Sequence, residues 1–497
     1  MSRNRIILVT IGIMLSLFLA SMESTVVATA MPTIVGQLGG LEHYSWVFSA
    51  FMLASTTTVP LYGKLSDLYG RKNIYLSAMA LFLIGSVFCG QAQSMPQLIF
   101  ARALQGIGAG GIAPLAFILI GEMFTLEQRA NMQGFFSGVW GVSSIAGPLL
   151  GGFIVDQLSW HWVFYVNIVP GLLAAGLVAF AWRDEPRRLV RPAVDYAGAT
   201  LLTASIIILL IGLMDLGTIT SWLLIGIAVA LFALLLWVEG RAPDPILPIS
   251  LFRHDRLFAS SIAHGVFSGW ALFGTISFIP LFVQSVIGTS ATQAGLTITP
   301  LLLGWVTASI VGTRLLIRTG YYKLAMTGTS ILFLGAILLA SVGAETSQNL
   351  LMVYVTLMGI GMGLAVPSFL IAVQTTVERR NLGTATSTIQ FSRSIGGTLG
   401  VSAMGAALGT RLAANLSASG LDPKLVNRLL DPLPGSEAVL DSSLRFAVAD
   451  AIGIVFILAL AAAALALLTV FFYTPRIQLT EKSSSKKEEM PPPIVAD

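Results

Sequence analysis

Long apolar runs separated by short polar segments make up most of this sequence. Fourteen of these runs approach the roughly 20 residues that a helix needs to cross a bilayer. The chain is 55% hydrophobic and 10% charged, against about 25% charged residues in soluble domains. We therefore predict an all-α integral membrane protein. The predicted spans are 6–30, 46–62, 74–90, 97–120, 132–155, 163–182, 196–214, 222–238, 257–286, 294–317, 324–342, 350–373, 384–408 and 446–472.

Charge and motif content exclude several classes of function. The net charge of +4 is carried by short clusters between apolar runs, so we assign these charges to orienting the spans and predict no nucleic-acid partner. The single cysteine, Cys89, lies in an apolar run and cannot form an intrachain disulfide. HExxH, GxSxG and P-loop patterns are absent from the sequence. We predict a non-enzyme that needs neither a metal nor a cofactor.

The distribution of basic residues predicts the orientation of the spans. With the N-terminus inside, the six short outer loops contain no Lys or Arg, whereas the inner segments contain most of them. This asymmetry follows the positive-inside rule and predicts that both termini are cytoplasmic, in a plasma or bacterial inner membrane. A cleaved signal peptide over 1–23 is a weaker interpretation, because the apolar run continues to Ala30.

One short inner loop carries a specific charge pattern. It reads Gly63-Lys-Leu-Ser-Asp67-Leu-Tyr-Gly70-Arg71-Lys, with glycines placed where a tight turn needs them. Asp67 within reach of Arg71 or Arg129 would form an ionic latch at the cytoplasmic side. The alternative is a solvated charged loop with generic basic anchors.

Further motifs follow in a fixed order, and together they carry a family resemblance. They are Glu23–Val27 with Ala30–Pro32, Arg102–Gly110, Gly138–Gly152, Trp160–Asn167, Pro280–Gln284 with Gly288, Ala294–Leu296 with Pro300, and Arg393–Gly397. Over roughly 6–472 the chain resembles the major facilitator superfamily, and within it the fourteen-span drug:proton antiporters. Three positions depart from the pattern: Glu23 replaces the usual Asp, His161 replaces an arginine, and Ile317 replaces the acid in the second-half loop copy, 313–322.

The resemblance implies a major facilitator fold with two six-helix bundles related by an internal repeat. The expected divisions are an N-terminal bundle (1–182), two inserted spans with flanking cytoplasmic segments (183–257), a C-terminal bundle (258–473) and a disordered cytoplasmic tail (474–497). Within the C-terminal bundle we expect a long outer loop over 409–445. This loop either carries a helix on the membrane surface or is a plain solvated connection.

Two charged residues lie at matching depth in the first bundle. Glu23 is about 17 residues into a span that starts inside, and Arg102 about five residues into a span that starts outside, so both lie nearer the outer face. Charges inside a bilayer are costly and usually functional. We predict that they form a proton-coupling pair, in which Glu23 takes up a proton when Arg102 turns away. The alternative is a static buried ion pair.

Other polar residues in the spans are candidates for lining a central cavity, namely Gln284, Gln390, Arg393 and His264. Arg393, near the midplane, either attracts anionic parts of a substrate or bonds to carbonyls of a neighbouring helix, and we favour the second. His264 either relays protons or packs with a hydrogen bond, and again we favour the second.

The fifth span carries small residues and a proline, at Gly141, Gly147, Pro148 and Gly151. Small residues let helices approach closely, which explains the glycines by packing alone. The resemblance adds that the bend at Pro148 seals the inner side and favours exchange over uniport.

The function that the sequence predicts is proton-coupled export of amphipathic small molecules by alternating access. The expected partners are protons, a lipophilic or amphipathic substrate and the lipid bilayer. Dedicated export of one native lipid or metabolite is an alternative, and a non-transporting sensor with the same fold is another. A channel fits poorly, because two repeated bundles imply alternating access.

Overall fold

The computed structural model describes residues 3–38, 44–182, 195–214, 218–242, 249–289, 291–378, 381–418 and 442–476. Within these ranges every regular element is a helix. The helices are α1 (Arg3–Leu38), α2 (Tyr44–Tyr69), α3 (Arg71–Gly90), α4 (Met95–Met123), α5 (Leu126–Gln157), α6 (Trp162–Tyr165), α7 (Ile168–Ala181), α8 (Tyr196–Met214), α9 (Ile219–Glu239), α10 (Ile249–His254), α11 (Arg256–Phe282), α12 (Ala291–Thr319), α13 (Tyr321–Ala340), α14 (Gln348–Thr376), α15 (Leu382–Ala418) and α16 (Ser442–Leu468). A π-helical turn extends α11 over Val283–Ile287, and another extends α16 over Thr469–Tyr473.

The protein is a multi-pass integral membrane protein. Ten helical segments in the described ranges are long and apolar enough to cross a bilayer. Helices also occupy the other four predicted spans, as α2, α5, α8 and α15, but they do not meet the same criteria. In α2, α5 and α15, glycine, serine and threonine lower the hydropathy. Length and composition therefore establish fewer spans than the fourteen predicted.

Element boundaries differ from the sequence prediction at several places. Helix α1 continues to Leu38, and the inner loop predicted at 63–72 is helical except at Gly70, because α2 continues to Tyr69 and α3 begins at Arg71. The sixth predicted span is interrupted, because α6 ends at Tyr165 and α7 begins at Ile168. The outer loop expected over 409–445 is shorter, because α15 continues to Ala418. Arg411, in the last part of α15, pairs with Asp450 of α16. The middle of that loop, 419–441, and the tail beyond Arg476 lie outside the described residues, as do 183–194 and 243–248 of the segments flanking the inserted spans.

An internal repeat relates the two parts of the chain. The helices of the two parts match more closely than the loop at 63–72 matches its second-half copy at 313–322. Helices α3 and α13 both have 20 residues and follow glycines with positive φ, Gly70 at 93° and Gly320 at 80°. Helices α4 and α14 both have 29 residues, and Pro114 and Pro367 occupy the same position in each. Equivalent glycines allow these helices to approach their neighbours closely. The pairs are Gly106 and Gly359, Gly108 and Gly361, and Gly110 and Gly363.

The helices pack as two sets with an inserted pair. Helices α1–α7 pack mainly with one another, as do α11–α16, whereas α8 packs on α9 and also contacts α2 and α15. The two sets meet chiefly where α2 packs on α15 and α5 packs on α12.

One large hydrophobic cluster joins the two sets at one end of the molecule, for example Phe117 of α4 and Phe369 of α14. Two other clusters lie in one set each, around Met22 in the first and Phe282 in the second. A small fourth cluster connects Val59 of α2 to Phe391 of α15 through α8 and α9. We name the joined end the basic end, since the chain enters α1 there at Arg3. Among the described residues, the sets are packed together most extensively at this end.

Candidate functional site

A cluster of polar side chains is sealed inside the first set of helices. We name it the polar cluster: Glu23 on α1, Ser86 on α3, Arg102 and Gln105 on α4, and Asn167 just before α7. Each of these residues is at most 1% exposed. The break between α6 and α7 places Asn167 at the end of a helix rather than within it.

Hydrogen bonds connect all members of the polar cluster. Arg102 Nη1 donates to Glu23 Oε1 and to Gln105 Oε1, both at 2.6 Å. Asn167 Nδ2 donates to Glu23 Oε2, also at 2.6 Å. Gln105 Nε2 donates to Ser86 Oγ at 2.8 Å. Both carboxylate oxygens of Glu23 are therefore engaged, one by a cation and one by an amide.

Two further contacts hold the guanidinium of Arg102 in place. Its Nε donates to the backbone carbonyl of Val47 on α2 at 3.3 Å, and its Cζ lies 4.2 Å from the ring centroid of Phe51. A buried charge that loses its partner destabilises a protein by about 3–5 kcal/mol. Any change in the charge of Glu23 would therefore alter the interactions of Arg102, and Arg102 in turn contacts α2.

A second polar site lies at the basic end and joins the two sets of helices. Asp67, in the last turn of α2, accepts hydrogen bonds from the amide of Gly383 at 3.2 Å and from the amide and hydroxyl of Thr384, both at 2.8 Å. These amides belong to the first turn of α15 and have no partner within that helix. The positive end of the helix dipole favours the carboxylate at this position.

Arginine side chains support this contact from the first set. Arg71 pairs with Asp67, donates to Ser66 Oγ at 2.7 Å, and contacts Glu122 of α4 at 3.1 Å. Arg129 extends this contact to α14. Its side chain donates to the carbonyl of Phe124 at 2.8 Å and to that of Gln374 on α14 at 3.3 Å.

We name this second site the clamp: Asp67, Arg71, Glu122, Arg129, Gln374, Gly383 and Thr384. Gln374 Nε2 donates to the carbonyl of Phe117 on α4 at 3.1 Å, so the two sets are bonded in both directions here. Gly63 is required by the close approach of α2 to α15, because a Cβ at this position would overlap Ser387. The clamp therefore joins the two sets at the basic end by hydrogen bonds at more than one place.

The small residues of α5 face the second set of helices in part. A Cβ atom added to Gly141 would lie 2.9 Å from Val306 Cγ2 on α12. Gly147 and Gly151 are buried, and α5 continues as one helix past Pro148. The side chain of Pro148 lies outside the described residues.

The four cavity candidates have different surroundings. His264 is 2% exposed, its Nε2 lies 3.0 Å from Thr329 Oγ1, and its ring packs on Phe369. Gln390 and Arg393 lie one turn apart on α15. The side chain of Gln284 lies outside the described residues.

Comparison with known proteins establishes the family of this chain. A sequence profile of the Major Facilitator Superfamily matches residues 13–401, which span both the polar cluster and the clamp. The chain belongs to the major facilitator superfamily. The superfamily and its transporter-named relatives indicate a membrane transporter rather than an enzyme.

Curated relatives match most of the chain. It is 38% identical over 449 residues to "Multidrug transporter protein MdtP" of Bacillus subtilis (strain 168), which covers 89% of this chain and 81% of that protein. It is 38% identical to "Multidrug resistance protein 3" of the same organism, covering 80% and 78%. It is 32% identical to "Efflux pump dotC" of Dothistroma septosporum, covering 78% and 68%.

Solved structures share the fold at low sequence identity. A structure of the proton:xylose symporter XylE aligns with a TM-score of 0.66 at 14% identity, covering 97% of this chain and 99% of that one. The human organic anion transporter MFSD10 aligns with a TM-score of 0.65 at 14% identity, covering 94% and 100%. At this identity the likeness concerns the fold alone.

Sequence reasoning missed several partners in this facilitator chain. Gln105 and Asn167 lie inside the motifs Arg102–Gly110 and Trp160–Asn167, and a polar side chain in an apolar helix is a signal that could have identified them. Glu122, an acid at the end of an apolar run, gave a similar signal. Ser86 and Thr384 gave none, because serine and threonine occur throughout the spans of this chain.

Replacing Asp67 by Asn is expected to slow transport about tenfold while leaving folding nearly intact. The amide loses the charge that pairs with Arg71 and faces the α15 dipole, and charge-assisted hydrogen bonds are roughly twice as strong as neutral ones. Transport rate and thermal unfolding of the purified variant are the measurements. Asp450→Asn, which alters an ion pair at the opposite end of α15, is the control. Wild-type turnover in Asp67→Asn would remove the clamp from the transport cycle.

Proposed function

We propose that this protein exports amphipathic small molecules in exchange for protons by alternating access. The observation that carries the proposal is the fully buried Glu23–Arg102 pair inside a chain of the major facilitator superfamily. A carboxylate held by one arginine can change its protonation state during a cycle. The names of relatives, multidrug transporter and efflux pump, support export as the direction of transport.

The polar cluster and the clamp would act as two coupled parts of this cycle. In this proposal the clamp holds the basic end closed while substrate exchanges at the opposite end. When Glu23 takes up a proton from that side, Arg102 loses a charged partner and its contacts with Gln105 and Val47 change. Because Val47 and Asp67 both lie on α2, α2 connects the polar cluster to the clamp.

The membrane arrangement is part of the same proposal. We propose fourteen spans, with an N-terminal bundle of α1–α7, an inserted pair α8 and α9, and a C-terminal bundle of α11–α16. The basic end faces the cytoplasm of a plasma or bacterial inner membrane, and both termini lie on that side. The positive-inside distribution of Lys and Arg supports this orientation.

Single cysteines introduced at exposed positions test the orientation. Impermeant thiol reagents added to intact cells are expected to label Gln93→Cys and Ser347→Cys but not Asn73→Cys and Thr125→Cys. All four positions are exposed, whereas Ser66 is buried and would report nothing. The native Cys89 is also buried. Labelling at position 73 or 125 from outside would contradict the proposed topology.

Transport by purified protein in liposomes tests the function itself. With an imposed pH gradient, uptake of amphipathic fluorescent compounds into liposomes of defined orientation is expected, together with counter-movement of protons. Transport of many unrelated amphipathic compounds supports multidrug export. Transport of a single lipid or metabolite with proton movement would support the dedicated exporter. Binding of compounds with no transport under any gradient would support a sensor and contradict the proposal.

A further inference from the structure

Arg393 is a cation at membrane depth that the polar cluster and the clamp do not use. It lies 11 residues after the first residue of α15, which places it about 17 Å along the helix from the basic end. Its side chain is partly exposed, unlike that of Arg102. A charge at this depth is costly and marks a substrate or ion pathway more often than a packing site.

The guanidinium of Arg393 forms no hydrogen bond or ion pair with the described residues. Arg71, Arg102, Arg129 and Arg411 each have such a partner. The alternative that Arg393 serves to bond carbonyls of a neighbouring helix therefore has no support in the described part of the structure. The described residues therefore supply no counter-charge that pairs with this cation.

The backbone at Arg393 is fixed by close contact with α11. A Cβ atom added to Gly269 would lie 3.2 Å from Cα of Arg393, and one added to Gly265 would lie 3.4 Å from Cβ of Ser392. Glycines at these two positions let the helix backbones touch. The starting point of the Arg393 side chain is therefore rigid, which is a requirement for a recognition site.

Among the described residues, the buried acids are Glu23 on α1 and Glu239 on α9. Glu23 is neutralised by Arg102 in the first set. Among the described residues from 249 onward, no Asp or Glu is buried. In these parts of the chain, Arg393 contributes a charge that no buried carboxylate offsets. A lipophilic cation approaching Arg393 would be repelled, and an anionic group would be attracted.

Gln390 supplies a second set of donors next to Arg393. The two residues are three positions apart on α15, so their side chains emerge on neighbouring parts of one helix face. Gln390 is 6% exposed and forms no hydrogen bond with a described residue. A guanidinium donates a parallel pair of N–H groups that fits a planar oxyanion, and the amide of Gln390 can add another donor.

We propose that Arg393, assisted by Gln390, binds the anionic group of the transported molecule. The substrates are then amphipathic molecules that carry a carboxylate, sulfonate or phosphate group, rather than lipophilic cations. This inference rests on the proposed export function, since it names the class of molecule that is exported. It concerns binding, however, and does not depend on how transport is driven.

Equilibrium binding of a matched pair of probes tests the proposal. N-dansyl-phenylalanine and its methyl ester share the same rings and differ in one carboxylate. Titration of the purified full-length protein, followed by dansyl fluorescence, gives the two dissociation constants without any gradient. We expect the acid to bind about tenfold or more tightly than the ester, given the usual strength of charge-assisted hydrogen bonds.

Substitutions at Arg393 assign that preference to the side chain. Arg393→Gln is expected to remove the preference for the acid and leave the dissociation constant of the ester unchanged. Arg393→Lys should retain part of the preference, since the positive charge remains but the paired N–H donors of the guanidinium are lost. Arg411→Gln, on the same helix but 55% exposed and paired with Asp450, is the control and should change neither constant. Equal wild-type affinity for both probes, or an equal loss of both in Arg393→Gln, would overturn the proposal.

The binding assay tests the anion site and the transport assay tests export, so either proposal can be refuted without the other. Acid preference that depends on Arg393, without transport in liposomes, would refute export and leave the anion site standing. Proton-coupled transport of the ester and of cationic compounds, with no preference for the acid, would refute the anion site and leave export standing.

Discussion

Replacing Glu23 by Gln is expected to abolish export driven by a pH gradient. The amide keeps the size of the side chain but cannot gain or lose a proton during the cycle. Groups that must transfer protons typically contribute roughly two to four orders of magnitude in rate, so the loss should be at least about 100-fold. The measurement is proton movement and substrate flux, recorded together in proteoliposomes.

The fold should tolerate this substitution because the neighbours of position 23 can adjust. The carbonyl oxygen of the introduced amide can accept from Arg102 as Glu23 does now. Its NH₂ group can donate to Oδ1 of Asn167, which has no partner at present, once the Asn167 amide turns over. Arg102 also keeps Gln105 and the carbonyl of Val47. We therefore expect Glu23→Gln to insert and bind substrate, with a modest decrease in unfolding temperature.

Two further variants serve as controls for Glu23. Glu23→Asp keeps a carboxylate that is shorter by one methylene, and part of the activity should remain. Glu345→Gln removes an exposed acid from the loop between α13 and α14, and wild-type activity is expected. If Glu23→Gln exchanged protons for substrate at the wild-type ratio, the coupling site would lie elsewhere and His264 would be the next candidate.

Linking the two sets of helices at the basic end is expected to stop transport completely and reversibly. A Cβ atom added to Gly134 on α5 would lie 3.6 Å from Cβ of Ile310 on α12, within the usual disulfide range of about 3.5–4.5 Å. Oxidation of Gly134→Cys/Ile310→Cys should hold this end closed. Alternating access requires it to open, so export should vanish on oxidation and return on reduction.

The two single-cysteine variants separate locking from chemical damage. Gly134→Cys and Ile310→Cys each carry one half of the pair and cannot form the link between α5 and α12. Export by either single variant should be largely unchanged by the same oxidation, because the two sets stay unlinked. Full export by the oxidised Gly134→Cys/Ile310→Cys variant would show that this interface does not open during the cycle.

The depth of a residue in the membrane could be read from the sequence, and its direction around the helix could not. Counting residues from the ends of the apolar runs placed Glu23 and Arg102 at similar depth, and the structure places their charged atoms 2.6 Å apart. The same counting did not separate Arg393, which lacks a described partner, from arginines that have one. A residue number gives the position along a helix axis, whereas the partners depend on helix rotation and on the neighbouring helices.

The sequence by itself determined the all-helical membrane fold, because a bilayer leaves the backbone of a long apolar run no other way to satisfy its hydrogen bonds. It also identified Asp67 as a candidate for an ionic contact at the cytoplasmic side. Only the tertiary structure decided that Asp67 meets the first turn of α15, that Asn167 and Gln105 complete the polar cluster, and that hydrogen bonds join the two sets at the basic end. These contacts join residues up to 317 positions apart, and their formation depends on how whole helices pack rather than on any local pattern.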